Sequence, residues 1–97
     1  MLEVEKDVEG YLVRQVEKLG GRCLKFVPLH EKGMPDRIVI LGGNIIAFVE
    51  TKRPKGGHLT EIQKYQINKL KKLGCHVYVA KNKLEIDELL KELTDET

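Results

Sequence analysis

Gly33-Met34-Pro35-Asp36-Arg37-Ile38-Val39-Ile40-Leu41 and Ile45-Ile46-Ala47-Phe48-Val49-Glu50-Thr51-Lys52 flank the short segment Gly42-Gly43-Asn44. Both long runs are apolar and have strand character. Gly-Gly and Gly-Asn signal a hairpin turn, because glycine accepts the positive φ that such turns need. The stretch therefore reads as a β-hairpin, with Asp36 opening its first strand and Glu50 and Lys52 closing its second. Side chains alternate along a strand, so Glu50 and Lys52 share a face. The antiparallel return brings Asp36 beside them. Two carboxylates and an ammonium converge at one end of a hydrophobic ribbon.

Burying such charges without partners is costly. A solvated strand end carrying an Asp-Lys or Glu-Lys ion pair accounts for these residues. So does a divalent-metal site, in which a hard cation such as Mg²⁺ takes carboxylate and carbonyl oxygens and keeps several waters. A lysine beside such a water can orient it or help deprotonate it. Spacing alone leaves both readings open.

Outward from the hairpin, the chain has 97 residues, enough for a single domain over 1–97 with one modest core. Its 41% apolar content supports a folded globule rather than disorder. No apolar run reaches transmembrane length and no secretory leader pattern opens the chain, so a cytoplasmic protein with no membrane partner is expected. Cys23 and Cys75 stand alone without CxxC spacing, which favours core thiols over zinc or a disulfide.

Residues 4–19 carry Val4, Val8, Tyr11, Leu12, Val16 and Leu19 near the helical period, with Gly20-Gly21 as the stop. Gly10 inside this helix costs ~1 kcal/mol against alanine, so a close approach is expected there. Glu5 and Glu9, four apart, share a face. Arg22 to Val27 reads as a strand ended by Pro28. Leu29 to Met34 form a loop, and Pro35 stiffens the backbone in front of Asp36. His30 in that loop has no second histidine at ligand spacing. After Lys52 comes the basic loop Arg53-Pro54-Lys55-Gly56-Gly57-His58, then a helix from Thr60 to Gly74. Thr60-Glu61-Ile62-Gln63 fits a capping box with Gln63 at its third position. Gln63 also shares the inward face of Ile67 and Leu70, close enough to the second hairpin strand to reach a bound water or Lys52. His76 to Ala80 is a further strand, and a helical crossover makes it parallel to the Glu50 strand. Asn82-Lys83-Leu84-Glu85 is a second capping-box candidate, ahead of a helix marked by Ile86, Leu89, Leu90 and Leu93; Thr94 to Thr97 should fray. The order is αβββαβα, an α/β domain with a mixed four-stranded sheet flanked by helices.

Charge is unevenly spread. Net charge is only +2, but Lys52 to Lys72 hold seven cations and one acid, while the last helix is acidic. Cations around a carboxylate cluster fit a phosphodiester substrate, neutralising its backbone while the acids hold a metal at the bond to be cut. A lysine-rich solvated helix explains the same charges taken alone. Aromatic residues are 5%, so shape and backbone contacts are favoured over base stacking.

Gly33-Met34-Pro35-Asp36 followed by Glu50-Thr51-Lys52 resembles the PD-(D/E)xK nuclease core. The match is closer to the VRR-NUC branch in its short stand-alone form, found in phages and bacteria. The glutamate-bearing first helix before Gly20-Gly21, the E-x-K-x-P run with its Gly-rich loop, Leu59 to Gln63, and Leu73-Gly74 before a strand carry the likeness through nearly the whole chain. The resemblance implies a restriction-endonuclease-like fold and an Mg²⁺- or Mn²⁺-dependent endodeoxyribonuclease, similar to Holliday-junction resolvases and working as a homodimer in a bacterial or phage-infected cell. It implies Asp36, Glu50 and the Thr51 carbonyl as metal ligands, Lys52 as catalytic lysine and Gln63 as the helix glutamine. Comparison with archaeal-type resolvases points to Glu9 as the first-helix acid, and comparison with other VRR-NUC members points to Glu5. The expected DNA contacts are Arg53, Lys55, Lys64, Lys32 and Arg37, on a substrate such as a four-way junction. A non-catalytic nucleic-acid-binding module of the same fold is the alternative. The DNA-binding domains of the large eukaryotic repair members are absent from this sequence.

Overall fold

The hairpin forms as read. In the computed structural model, which describes residues 4–95, β2 (Arg37–Leu41) and β3 (Ile45–Thr51) pair antiparallel with Leu41 opposite Ile45. The turn between them uses positive φ at Gly43 (79°) and Asn44 (64°), where the short Asn side chain tolerates the left-handed region. β1 (Arg22–Lys25) pairs antiparallel with β2. It stops two residues short of Val27, although the Phe26 amide still donates to the Asp36 carbonyl at 2.8 Å. β4 (His76–Ala80) runs parallel to β3, as the intervening helix α2 (Glu61–Lys72) requires. The sheet order is β1-β2-β3-β4.

α1 (Glu5–Lys18) and α3 (Lys83–Thr94) cover one face of the sheet. Val8, Leu12 and Val16 of α1 meet Ile86, Leu89, Leu90 and Leu93 of α3 over Val39, Ala47, Val49 and Ala80. Of the six apolar positions expected on α1, Val4 and Leu19 are exposed at its two ends, and the buried stripe is the shorter one. Gly10 is approached only by its own helix: a Cβ there would stand 3.2 Å from Arg14 Nη1. Burial pushes the Cys23 thiol up to about 11, as befits an inert, half-buried thiol; both cysteines are free.

α2 lies on the opposite face and packs mainly against β4. Its capping box is complete. The Thr60 hydroxyl accepts from the Gln63 amide at 3.2 Å, and the Gln63 side-chain oxygen accepts from the Thr60 amide at 3.0 Å. At α3 only half of the expected box forms. Asn82 accepts from the Glu85 amide at 2.8 Å, but Glu85 reaches the Lys81 amide instead of that of Asn82. Thr94 closes α3 with its hydroxyl donating to the Leu90 carbonyl at 2.8 Å. Of the tail expected to fray from Thr94, Thr94 is instead the last residue of α3 and Asp95 its C-cap, and residues 96 and 97 lie outside the described residues. No described helix is long and apolar enough to cross a membrane.

Leu12 is fully buried at the contact of α1, α3 and the sheet. Leu12→Ala should therefore cost about 2–5 kcal/mol, read as a lower urea midpoint with unchanged slope.

Candidate active site

The register places the site. Arg37 lies opposite Val49, so one residue earlier Asp36 meets Glu50 across the strand pair. On β3, Ala47, Val49 and Thr51 face the core under α1 and α3, while Glu50 turns to the α2 face. Three segments then converge. The Asp36 amide donates to Glu50 Oε1 at 3.2 Å. Gln63 Nε2 donates to Glu50 Oε2 at 3.1 Å, and Lys52 Nζ stands 3.3 Å from the same oxygen. The Thr51 amide and hydroxyl donate to Asp36 Oδ1 and Oδ2 at 3.3 and 3.2 Å.

Asp36, Glu50, Lys52 and Gln63 are thus brought together as expected. Gln63 differs in its partner: it holds the glutamate rather than Lys52 itself. The capping role and the site role coexist because one end of the amide serves each. The Thr51 hydroxyl was missed at the sequence level. Its signal was faint, a threonine between two charged residues whose side chain must point into the core.

Loop 29–35 is tied to α2. Gln66, nearly buried, donates to Glu31 Oε2 at 3.1 Å and to the Lys32 carbonyl at 2.9 Å. Gly33 has φ 80°, and a Cβ there would come within 3.0 Å of the Ile62 backbone. Pro35 is fully buried beyond it. The loop therefore delivers Asp36 at a fixed height beside the helix that carries Gln63.

The first-helix acids part company. Glu9 Oε2 accepts from Arg37 Nε at 2.8 Å and from Lys25 Nζ at 3.5 Å. Its charge still acts on Asp36. Exposed Glu5 instead lines a cavity of about 480 Å³ with Lys52, Arg53 and Gly57. Arg37, expected on DNA, is committed to Glu9 and to the Cys23 carbonyl. Arg53, Lys55 and Lys32 are exposed, and among the described residues Lys64 pairs with exposed Glu61 at 3.4 Å.

Burial raises the Asp36 carboxyl above its ordinary range, with the Glu9 charge adding to it against hydrogen bonds from Thr51. Burial likewise raises Glu50, helped by the Asp36 charge and opposed by Lys52. Two carboxylates thus share a partly dry site in which one ammonium stands on Glu50. Among the described residues no three His, Cys, Asp or Glu side chains gather as a metal site. Two carboxylates suffice for a hard cation such as Mg²⁺, which keeps waters and takes phosphate oxygens for the rest, so the donor set fits such an ion.

A mixed sheet ordered αβββαβα, with paired acids and a lysine at adjacent strand ends, is a restriction-endonuclease-like fold. Comparison with known proteins is consistent with it. The chain is 41% identical over 75 residues to "Putative nuclease p44" of Acyrthosiphon pisum secondary endosymbiont phage 1, covering 77% of this chain and 80% of that protein. A solved "VRR_NUC domain" superposes with TM-score 0.85 at 30% identity, over 90% of this chain and 94% of its own. A second, a "VRR_NUC domain protein", has the same fold with TM-score 0.77 at 20% identity, over 98% of this chain and 93% of its own. No family model matches. The chain belongs to the VRR-NUC nuclease family.

Two predictions test the site. Because Asp36 and Glu50 bind protons more tightly in the fold than in the open chain, folding is favoured below their raised pKa values and loses that contribution as pH rises through them. Asp36→Asn should accordingly raise the Tm of the metal-free protein at pH 7, and the gain should vanish below the ordinary aspartate value of 3.8. Gln63→Glu keeps an acceptor for the Thr60 amide but sets a carboxylate against Glu50. Circular dichroism should show α2 intact while any nuclease activity falls at least ~10-fold, the loss of a site-restricted hydrogen bond turned repulsive.

Proposed function

We propose that this protein is a metal-dependent, structure-selective DNA endonuclease that cuts branched DNA as a homodimer. The observation that carries the reading is the pairing of Asp36 and Glu50 at adjacent strand ends, with Lys52 on the other Glu50 oxygen. Family membership supports nuclease chemistry. Asp36, Glu50 and the Thr51 carbonyl would hold Mg²⁺ or Mn²⁺, with Glu9 or Glu5 as a further acid. The bound ion supplies a polarised phosphate and a water of lowered pKa. Lys52 orients that water and offsets the negative charge that builds on the phosphate as it is attacked. Gln63 keeps the Glu50 oxygen turned toward Lys52. Thr51, by holding both Asp36 oxygens, fixes the second acid. Arg53 and Lys55, on the loop beside the cavity that Lys52 lines, meet the DNA backbone, joined by Lys32 and Lys64.

Dimerisation has a surface to use. On the α2 face, Leu24 of β1, Ile40 of β2 and Ile46 of β3 are 37%, 36% and 53% exposed, because α2 covers β4 instead. Two-fold docking of a second copy over this strip buries it and sets two sites on one substrate. A four-way junction needs two symmetric cuts, which two such sites provide.

The test is a labelled four-way junction beside a matching linear duplex, with Mg²⁺, Mn²⁺ or EDTA. Paired nicks in the junction alone, lost with EDTA and lost at least ~1,000-fold in Asp36→Ala or Glu50→Ala, are expected. Equal cutting of both substrates removes the junction preference. Wild-type rates in either variant would misassign the site, and retarded DNA with no cut under any metal would leave a binding module.

A further inference from the structure

A second cavity, of about 470 Å³, lies along the other side of α1 and is lined by Lys6, Arg14, Arg37 and Lys83 together with Asp7 and Glu9. Both acids are already committed. Asp7 accepts from the Val4 amide at 3.1 Å, capping its own helix, and Glu9 is held by Arg37 and Lys25. Lys6, Arg14 and Lys83 make no ion pair among the described residues. The Lys83 ammonium lies 5.6 Å from the centre of the Tyr11 ring, a contact that orients a cation without cancelling its charge. Three cations therefore outnumber Asp7, the one acid among the described residues of this concave surface that no cation holds.

Gly10 points to the same place. A glycine six residues into a helix is a poor choice for the helix itself. Side chains on a helix lean toward its N-terminus, so Arg14 reaches back one turn over position 10. The Arg14 guanidinium occupies the space that a side chain at position 10 would take, 3.2 Å from where its Cβ would sit. The glycine gives Arg14 a seat in the cavity wall.

Lys6 lines both this cavity and the one beside Lys52 and Arg53. The two are neighbours across the start of α1, and Arg37 in the second directly follows Asp36. We propose that this cavity seats a backbone phosphate of the DNA away from the bond being cut, with Arg14 as its guanidinium clamp and Lys6 and Lys83 as flanking charges. Guanidinium groups take phosphate oxygens two at a time, which suits Arg14 to that role. The inference rests on the nuclease reading and extends the DNA path from Arg53 across α1 to α3.

The experiment measures equilibrium binding of labelled junction and duplex in EDTA, where no cut is expected, over a range of salt. Wild type is compared with the double variant Arg14→Ala/Lys83→Ala, with Arg14→Lys, and with Lys91→Ala, an α3 cation outside this cavity. Thermal melts establish that each variant is folded. The double variant should bind roughly tenfold more weakly at moderate salt, with a log–log salt slope shallower by about one. Arg14→Lys should fall between, and Lys91→Ala should match wild type. In cleavage, KM should rise with kcat unchanged, as for a contact made equally before and during reaction. Wild-type affinity and slope in the double variant, while wild type binds and cuts, overturn this inference and leave the nuclease reading standing. A variant that loses inorganic phosphate, followed by titration, but keeps its DNA affinity assigns the cavity to free phosphate and also overturns it. Wild type that binds no DNA at low salt removes the nuclease reading and this inference with it.

Discussion

A buried glutamate facing an aspartate one strand away is the constraint around which this molecule is arranged. Like charges in a poorly solvated corner repel, and each would rather take a proton than stay ionised. The fold answers with donors. Glu50 receives the Asp36 amide on one oxygen and Gln63 with Lys52 on the other, and Asp36 receives the Thr51 amide and hydroxyl. None of these donors is local to the acid it serves except along β3. The hairpin register supplies the first, the crossover helix the second, and the strand's own alternation the third. A slip of one residue in β2 against β3 would break the bonds between Asp36, Glu50 and Thr51, leaving Gln63 and Lys52 to hold Glu50 alone.

The two faces of the sheet divide the labour. Under α1 and α3 lies an apolar core from which β3 excludes all polarity but the threonine hydroxyl, itself bonded to Asp36. Under α2 the sheet is only partly covered, and there the functional side chains and the exposed apolar strip coexist. Stability and chemistry are thus separable in sequence parity along one strand. They meet at Thr51, where the core-facing side chain bends back to the acid.

Much of this was legible from residue patterns because the decisive interactions are set by period and turn chemistry. The hairpin, its Gly43-Asn44 turn, the parallel β4 and the buried stripe of α3 all follow from such local rules, and so does the meeting of Asp36 with Glu50 and Lys52. What escaped depends on long side chains choosing among several partners. Arg37 sits where a DNA contact is plausible, yet it takes Glu9, because adjacent strand and helix positions put the two within 2.8 Å. Gln66 gives no outward sign of clamping a loop more than thirty residues earlier in the chain. Glu85 takes the Lys81 amide over that of Asn82, a choice between neighbouring donors that spacing does not encode.

The Gln63 side chain has a further meaning. Its oxygen belongs to the first turn of α2 and its nitrogen to Glu50, so the amide cannot flip without breaking both. Helix ends open and close constantly in solution, and each opening here would withdraw a donor from a carboxylate that needs donors to stay ionised. The grip on Glu50 is thereby tied to the first turn of one helix. A substitution that loosens that turn, in a residue that never faces the substrate, takes a donor from the acid as well.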